Sequence, residues 1–219
     1  MGMQIVVGNF KAELGFNEMK DWLVKFIELY PKEGFPGKKV ILCPSVAHLQ
    51  MTKDALTSAG IVLPLGVQNI SHIEKGTYTG EITVSAVSGL AEFVIIGHSE
   101  RRRNFQDRVD RIQEKIHLAN AQGLQVILCT EEIERYQGIL FAVAYEPSSA
   151  IGNGKPEEAG DSVLQMNKIK SALHADYYLY GGSVNNSNVH NYVQSGFDGV
   201  LVGKKTLDPV HFVEVVKNA

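Results

Sequence analysis

The chain has 219 residues, of which 44% are hydrophobic and 21% charged, a composition typical of a globular protein with an extensive core. Its formal net charge of −3 argues against nucleic acid as the main partner. No apolar run approaches the roughly 20 residues that span a bilayer, so we expect no membrane partner. The N-terminus lacks the features of a signal peptide, and Cys43 and Cys129 both end apolar runs, so we expect free thiols in a reducing cytoplasm.

Short apolar segments alternate with helical patterns along the whole chain. The predicted strands cover residues 3–8, 39–43, 61–68, 93–97, 125–129, 140–145, 177–180 and 199–202. The predicted helices cover residues 17–30, 45–59, 82–90, 106–121, 157–173 and 186–194, with a last helix capped by Asp208. Asn17 and Ser45 are candidate N-caps, and Pro209 suits the first position of the last helix.

This alternation gives eight strand-then-helix units in a single domain, residues 1–219. The strands are uniformly apolar, as expected for parallel strands covered on both faces. We therefore predict an α/β fold, a (β/α)8 barrel, with a doubly wound open sheet as the alternative. Only about a dozen residues separate the fifth and sixth strands, so we expect a shortened helix of about two turns there.

In a parallel barrel the C-terminal ends of all strands lie on one face, where catalysis is expected. The residues delivered to that face in this chain are Asn9, Lys11, His98, Glu146, Gly181, Gly182, Ser183 and Gly203. Glu146 ends an apolar strand and is followed by Pro147, and residues 150–154 have the composition of a hinged flap. A carboxylate, an imidazole, an ammonium and small residues together suit proton transfer on a small phosphorylated molecule.

Each of these residues has a specific chemical use. Glycine-rich turns let backbone N–H groups approach phosphate oxygens, and the turns after strands seven and eight are a frequent phosphate site in barrels. Lys11 supplies a positive charge for a phosphate or an oxyanion. Positive potential from Lys11 and a helix N-terminus favours a neutral His98, which can polarise a carbonyl. Glu146 becomes a stronger base when it is removed from water.

Other chemistries lack their sequence signatures. The histidines show no paired ligand spacing and no Cys-x-x-Cys occurs, so we expect no metal. A Walker loop and a dinucleotide fingerprint are also absent, so we expect no cofactor.

Seven motifs together resemble the triosephosphate isomerase family. They are NFK at 9–11, GTYTGE at 76–81, IGHSER at 96–101, AYEP at 144–147, AIGNGK at 150–155, YGGS at 180–183 and LVG at 201–203. The match runs in order and covers every strand end except the second, and its histidine and glutamate motifs are highly specific to the family.

The resemblance implies interconversion of dihydroxyacetone phosphate and D-glyceraldehyde 3-phosphate without a cofactor. Glu146 would abstract a carbon-bound proton, neutral His98 would polarise the carbonyl, and Lys11 would stabilise the oxyanion and the phosphate. Residues with supporting roles would be Asn9, which orients these groups, and Glu100. Residues around the phosphate and the base would be Gly152, Ser183, Gly182, Gly203, Ile151 and Leu201.

The resemblance also implies self-association. The family assembles through the loop after strand three, which is residues 75–81 here, and Thr79 would reach the neighbouring subunit near Asn9 and Lys11. We therefore expect a homodimer or a tetramer.

Some positions depart from the family pattern. Ser148 and Ser149 replace an apolar residue and a tryptophan at the first hinge of the flap, and Lys204 replaces the second glycine after strand eight, where it would crowd the phosphate or add a charge to it. Thr130 and Glu131 replace a small pair after Cys129. A non-catalytic barrel that binds phosphorylated ligands through a degraded flap is therefore an alternative, and another phosphosugar isomerase is a weaker one.

Overall fold

The computed structural model describes residues 2–150 and 157–219, and eight parallel strands form its centre. The strands are β1 Gln4–Asn9, β2 Lys38–Cys43, β3 Gly66–Val67, β4 Phe93–Ile96, β5 Gln125–Thr130, β6 Ala142–Tyr145, β7 Tyr177–Tyr180 and β8 Gly199–Val202. Their order in the sheet is β2-β1-β8-β7-β6-β5-β4-β3. A bridge between Leu42 and Leu65 joins the two ends. The predicted barrel is thus confirmed, and the doubly wound alternative, which would interrupt the sequential order, is wrong.

The helices surround the strands. They are α1 Phe16–Leu29, α2 Leu49–Ala59, α3 Val84–Val87, α4 Ser99–Phe105, α5 Val109–Ala121, α6 Ala159–Lys170, α7 Val189–Gln194 and α8 Pro209–Asn218, with 3-10 turns at Val46–His48 and Lys204–Leu207. Asp208 caps α8 as predicted, because its Oδ1 accepts from Val210 N at 2.9 Å. The cap predicted for α1 is wrong: the helix begins one residue earlier, and Glu18 Oε2 accepts the N–H of Gly15 at 2.7 Å. Within the described residues, we find no helix with both the length and the apolar character for crossing a bilayer.

The strands are apolar throughout because each has two buried faces. Ile5 and Val7 of β1 belong to a cluster that receives side chains from seven of the strands and fills the barrel. Val6 belongs to the outer cluster, between the strands and the helices. At the β1–β8 contact, Gly199 has φ +152° and lies against Ile5, and a Cβ there would lie 1.9 Å from the Ile5 carbonyl oxygen.

Strand β3 is much shorter than predicted. Only Gly66–Val67 of the expected 61–68 pairs as a strand. Pro64 has no N–H to donate to a ladder, although its carbonyl accepts the N–H of Leu42 at 3.2 Å. Gly66 lets the strand approach β2, because a Cβ there would lie 2.6 Å from Cys43 Sγ.

The shortened helix expected after β5 is wrong. Residues 131–141 form no helix, although all of them are described. The segment has 11 residues, and a helix advances only about 1.5 Å per residue. A helix that used all 11 would therefore leave no residues for the turns at its two ends. Two side chains of α5 instead bind the loop backbone. The Gln113 amide donates to the carbonyl of Gln137 and accepts its N–H, at 2.7 and 2.8 Å. The Asn120 amide does the same with Ile139, at 3.0 and 2.8 Å.

Candidate active site

A cavity of about 160 Å³ opens at the C-terminal ends of the strands. It is lined by eight of the residues predicted from the sequence: Lys11, His98, Glu146, Gly181, Ser183, Leu201, Gly203 and Lys204. Asn9 and Glu100 line a neighbouring cavity, which shares Lys11 and His98 with the first. The topology therefore brings together a base, an imidazole and an ammonium that are far apart in the chain.

His98 and Glu146 are in direct contact. His98 Nε2 lies 3.0 Å from Glu146 Oε1, and both side chains are buried. His98 caps α4, and its Nδ1 accepts the N–H of Glu100 at 3.2 Å. A ring nitrogen that accepts an N–H carries no proton, so the proton of the neutral ring is on Nε2. Nε2 therefore donates to Glu146, and the His98 side chain lines the cavity.

The Glu146 carboxylate is only 2% exposed and each of its oxygens has a donor. Its Oε2 accepts the N–H of Ser99 at 2.9 Å, while Oε1 faces His98. Gly181 packs against its stem, since a Cβ there would lie 2.9 Å from Glu146 Cγ. Burial, followed by the charge of Glu146, raises the pKa of the Cys129 thiol, so Cys129 remains protonated beside the carboxylate.

Lys11 occupies a turn with an unusual backbone. Its φ is +53°, in the left-handed region that non-glycine residues rarely adopt. Asn9 Oδ1 accepts the Lys11 N–H at 3.0 Å, and Gln68 donates to the Lys11 carbonyl at 2.9 Å. Such strain persists where surrounding contacts fix the backbone, as these do, and it is concentrated at functional sites.

The Lys11 ammonium pairs with Glu100. Its Nζ lies 2.5 Å from Glu100 Oε1. Burial alone would raise the pKa of Glu100, but the hydrogen bond and charge of Lys11 outweigh it and hold the pKa below its usual value. Glu100 therefore stays ionised and fixes the ammonium of Lys11, a residue that lines both cavities.

The turns after β7 and β8 approach the cavity closely. Gly182 has no room for a side chain, because a Cβ would lie 2.6 Å from Tyr180 Oη and 2.9 Å from Ala150 Cβ. Ser183 has φ +49°, and its hydroxyl donates to the Ala150 carbonyl. At Gly203 a Cβ would lie 3.2 Å from Lys11 Cε, so the β8 turn lies beside the lysine stem.

Sequence reasoning missed several contributors. Gln68 supports Lys11, the Ser99 N–H holds Glu146, and Lys205 lines the cavity with Lys204. A backbone N–H has no side-chain signature, so the Ser99 contact gave no sequence signal. Lys205 follows Gly203-Lys204 directly, and this run of two lysines after a strand-end glycine was a signal that could have found it.

Two predicted positions in the described residues line neither cavity: Gly182 lies in the β7 turn, and Thr79 is exposed on the loop 75–81. Ile151 and Gly152 lie outside the described residues. Among the described residues, no group of three or more His, Cys, Asp or Glu side chains is arranged to hold a metal.

Comparison with known proteins identifies the family. A family model for triosephosphate isomerase matches residues 4–138 and 134–219. Triosephosphate isomerase of Dictyoglomus thermophilum is 32% identical over 253 aligned positions that cover all of both chains, and that of Mesomycoplasma hyopneumoniae strain 7448 is 31% identical over 99% of both. The enzyme of Synechococcus sp. strain JA-3-3Ab is 31% identical over 97% of this chain and 93% of its own.

The first of these alignments also shows that the relative has positions that this chain lacks. Its 253 positions exceed the 219 residues present here by 34, so at least that many positions of the relative have no counterpart. The bare loop between β5 and β6 is one place where the chain is compact. The chain belongs to the triosephosphate isomerase family, and it is a compact isomerase of that family.

Proposed function

We propose that this chain interconverts dihydroxyacetone phosphate and D-glyceraldehyde 3-phosphate by proton transfer through an enediol(ate). The observation that carries the proposal is the contact of 3.0 Å between Glu146 Oε1 and His98 Nε2, at a cavity that also receives Lys11 and two glycine turns. Family membership supports a triose phosphate as the substrate. The single sheet of eight strands favours the whole chain acting as one domain.

Glu146 is the base in this proposal. It takes a proton from C1 of dihydroxyacetone phosphate, and the electron pair of that C–H bond forms the C1–C2 double bond of the enediolate. A proton then moves from the C1 oxygen to the C2 oxygen, and the carboxylic acid returns a proton to C2, which leaves the aldehyde at C1 and a hydroxyl at C2. Glu146 is only 2% exposed and lines the cavity, so it can reach a substrate there with little water around it.

His98 polarises the substrate carbonyl. The Nε2–H contacts Glu146 in the structure. When substrate is bound, the same N–H donates a hydrogen bond to the carbonyl oxygen of the substrate. Nδ1 is occupied by the Glu100 N–H, so the ring enters the reaction neutral. A neutral imidazole can also pass a proton between the two adjacent oxygens of the enediolate.

Lys11 and the turns bind the negative charges. The ammonium stabilises the oxyanion and attracts the phosphate, and Asn9 holds the Lys11 backbone in position. The backbone N–H groups of Gly182, Ser183 and Gly203 bind the phosphate, and Lys204 adds a charge at the same end. Leu201 forms an apolar wall of the cavity. Gly152 and Ile151 complete the set of residues around the phosphate and the base. Glu100 supports Lys11.

We further infer that the active form is a homodimer or tetramer in the cytoplasm. The exposed loop 75–81, with Thr79 near its tip and Tyr78 54% exposed, supports assembly with a second copy. Buried free thiols at Cys43 and Cys129 suit a reducing compartment.

A coupled isomerisation assay on the purified chain tests the proposal. We expect turnover in both directions, and we expect Glu146→Gln, which keeps the shape of the side chain but removes the base, to abolish it while still binding inorganic phosphate. Phosphate binding without turnover in the unmodified chain would instead support the non-catalytic barrel. Turnover of other phosphosugars in preference to triose phosphates would support the second alternative.

A further inference from the structure

The active-site cavity extends past the turns that are proposed to bind the phosphate. Ser183 and Gly203, which provide backbone N–H groups for the phosphate, are both part of its lining. The lining continues along the two loops, to residues 184 and 185 after β7 and to residues 204 and 205 after β8. The part of this lining that the proposed mechanism leaves unused, called the outer subsite below, consists of Val184, Asn185 and Lys205.

Lys205 does not take the same place as its neighbour Lys204. Both belong to the 3-10 turn Lys204–Leu207, in which successive side chains point about 120° apart because one turn contains three residues. Lys204 is exposed, whereas Lys205 is half-buried. The turn is fixed at its next residue, because Thr206 is completely buried and its Oγ1 donates to the Val202 carbonyl at 2.9 Å. The two lysine side chains therefore approach the cavity from different directions.

The charge of Lys205 has no acidic partner in the described part of the chain. Neither Lys205 nor Lys204 forms an ion pair with a residue of 2–150 or 157–219. Lys11 lies close to the same turn, because a Cβ at Gly203 would lie 3.7 Å from Lys11 Nζ. Positive charges that share a cavity repel one another, and a bound anion removes this repulsion. A phosphate that faces Lys11 and Lys204 leaves Lys205 for a second anionic group.

Asn185 adds a hydrogen-bond donor to the outer subsite. Its Oδ1 accepts the N–H groups of Ser187 and Asn188, at 2.8 and 3.1 Å, and these contacts fix the side-chain amide. Its Nδ2 donates to no acceptor among the described residues. An amide NH₂ group and an ammonium are both donors that phosphate oxygens accept. The outer subsite is therefore suited to an anion with several acceptor oxygens.

We propose that the outer subsite binds the second phosphoryl group of a diphosphate whose first phosphoryl group occupies the phosphate site. The inference rests on the proposed function, which places the first group at Ser183 and Gly203. The two groups of a diphosphate share one bridging oxygen and are therefore adjacent, as are the two sites along both loops. Inorganic pyrophosphate has no carbon from which Glu146 could take a proton. It therefore excludes triose phosphate without being converted, and it acts as a competitive inhibitor.

The test is calorimetric titration of the purified chain with inorganic pyrophosphate and with inorganic phosphate. Both titrations are done at one ionic strength and without divalent cations, which bind pyrophosphate. We expect pyrophosphate to bind one site about tenfold more tightly than phosphate, and phosphate to displace it. Lys205→Met removes the charge of the outer subsite, so it should weaken pyrophosphate binding about five- to tenfold and phosphate binding less than about twofold.

Three further variants serve as controls. Lys204→Met should weaken the binding of both ligands to a similar extent, because this lysine is proposed to face the phosphate site. Lys205→Arg keeps the positive charge and should retain tight pyrophosphate binding. Lys20→Met makes the same change as Lys205→Met at an exposed site on α1, so it should leave both affinities unchanged.

ADP distinguishes the two sources of a diphosphate group. If ADP binds as tightly as pyrophosphate and loses affinity in Lys205→Met, the outer subsite also takes nucleoside diphosphates. If pyrophosphate alone binds in this way, the subsite is specific for the free diphosphate.

The inference is overturned if pyrophosphate binds no more tightly than phosphate, or if Lys205→Met weakens the binding of both ligands equally. It is also overturned if phosphate does not displace pyrophosphate, because the diphosphate then binds elsewhere. Calorimetry requires no turnover. A chain that binds these anions but fails to isomerise triose phosphates contradicts the proposed function instead, so the two failures are distinguishable.

Discussion

The Lys115 ammonium lies 2.6 Å from Asp107 Oδ2, and both side chains are almost completely buried. The same ammonium donates to Asn69 Oδ1 at 2.8 Å, and Arg101 Nε donates to the same Asp107 oxygen at 2.9 Å. Arg101 belongs to α4, the helix that His98 caps, and Lys115 belongs to α5. This charged cluster therefore joins two helices and the segment after β3.

Removing Lys115 should destabilise the fold. In Lys115→Met the Asp107 carboxylate remains buried with only Arg101 to compensate its charge, and breaking a buried pair in this way costs about 3–5 kcal/mol. Urea unfolding measures the change. The exposed pair Lys25–Glu28, 2.9 Å apart, provides the control, because Lys25→Met should change the free energy of unfolding by less than about 0.5 kcal/mol. Equal effects of the two substitutions would contradict this account of the cluster.

The cluster also predicts a loss of stability in acid. Burial alone would raise the pKa of Asp107, but hydrogen bonds from Lys115 and Arg101 outweigh it and hold the pKa below its ordinary value. As the pH falls, Asp107 therefore takes up its proton at a higher pH in the unfolded chain than in the folded chain. Stability is complete above the unfolded pKa of about 3.9 and is lost as the pH falls through the folded value.

Asp107→Asn isolates this contribution. The variant has no carboxyl to titrate here, so the difference in free energy of unfolding between it and the unmodified chain should shrink as the pH is lowered from 6 to 3. Urea titrations at several pH values measure this difference. A difference that stays constant across that range would show that Asp107 titrates normally.

The sequence predicted best those elements whose bounds depend only on residues within the element itself. Strands β7 and β8 have the predicted bounds because each is a short apolar run that ends at glycine. The loop 131–141 could not be predicted in this way, because its backbone pairs with Gln113 and Asn120 from another element. Strand β3 is short for a similar reason, since its pairing depends on the position of Pro64 against β2.

In the candidate site, too, the sequence predicted the positions of the residues but not how their side chains are oriented. His98, Glu146 and Lys11 were predictable because parallel strand ends share one face of a barrel and these residues follow the apolar runs. Their mutual orientation depends on groups without a sequence signal, the N–H of Ser99 and the N–H of Glu100. The tautomer of His98 is an outcome of that second contact.

Lys204 should strengthen phosphate binding through its charge. Its side chain is exposed and lines the cavity beside Gly203, so it can approach a phosphate without displacing buried groups. We expect Lys204→Gly and Lys204→Met each to raise the inhibition constant of inorganic phosphate about three- to tenfold, as loss of one nearby charge near the surface implies. Added salt should reduce this difference. Tighter phosphate binding in Lys204→Gly alone would mean that the lysine crowds the phosphate.

Shortening Glu146 should slow the chemical step more than it weakens binding. In Glu146→Asp the carboxylate withdraws by one methylene from His98 and Ser99, which now fix its two oxygens at 3.0 and 2.9 Å. A displacement of this size at a reacting group costs about a hundredfold in rate, so kcat should fall by that much or more while KM changes little. The coupled assay gives both constants. Glu114→Asp, the same change at an exposed site on α5, should leave them unaltered. If Glu146→Asp kept near-full turnover, the proton would be taken by another group, and Glu146 would not be the base.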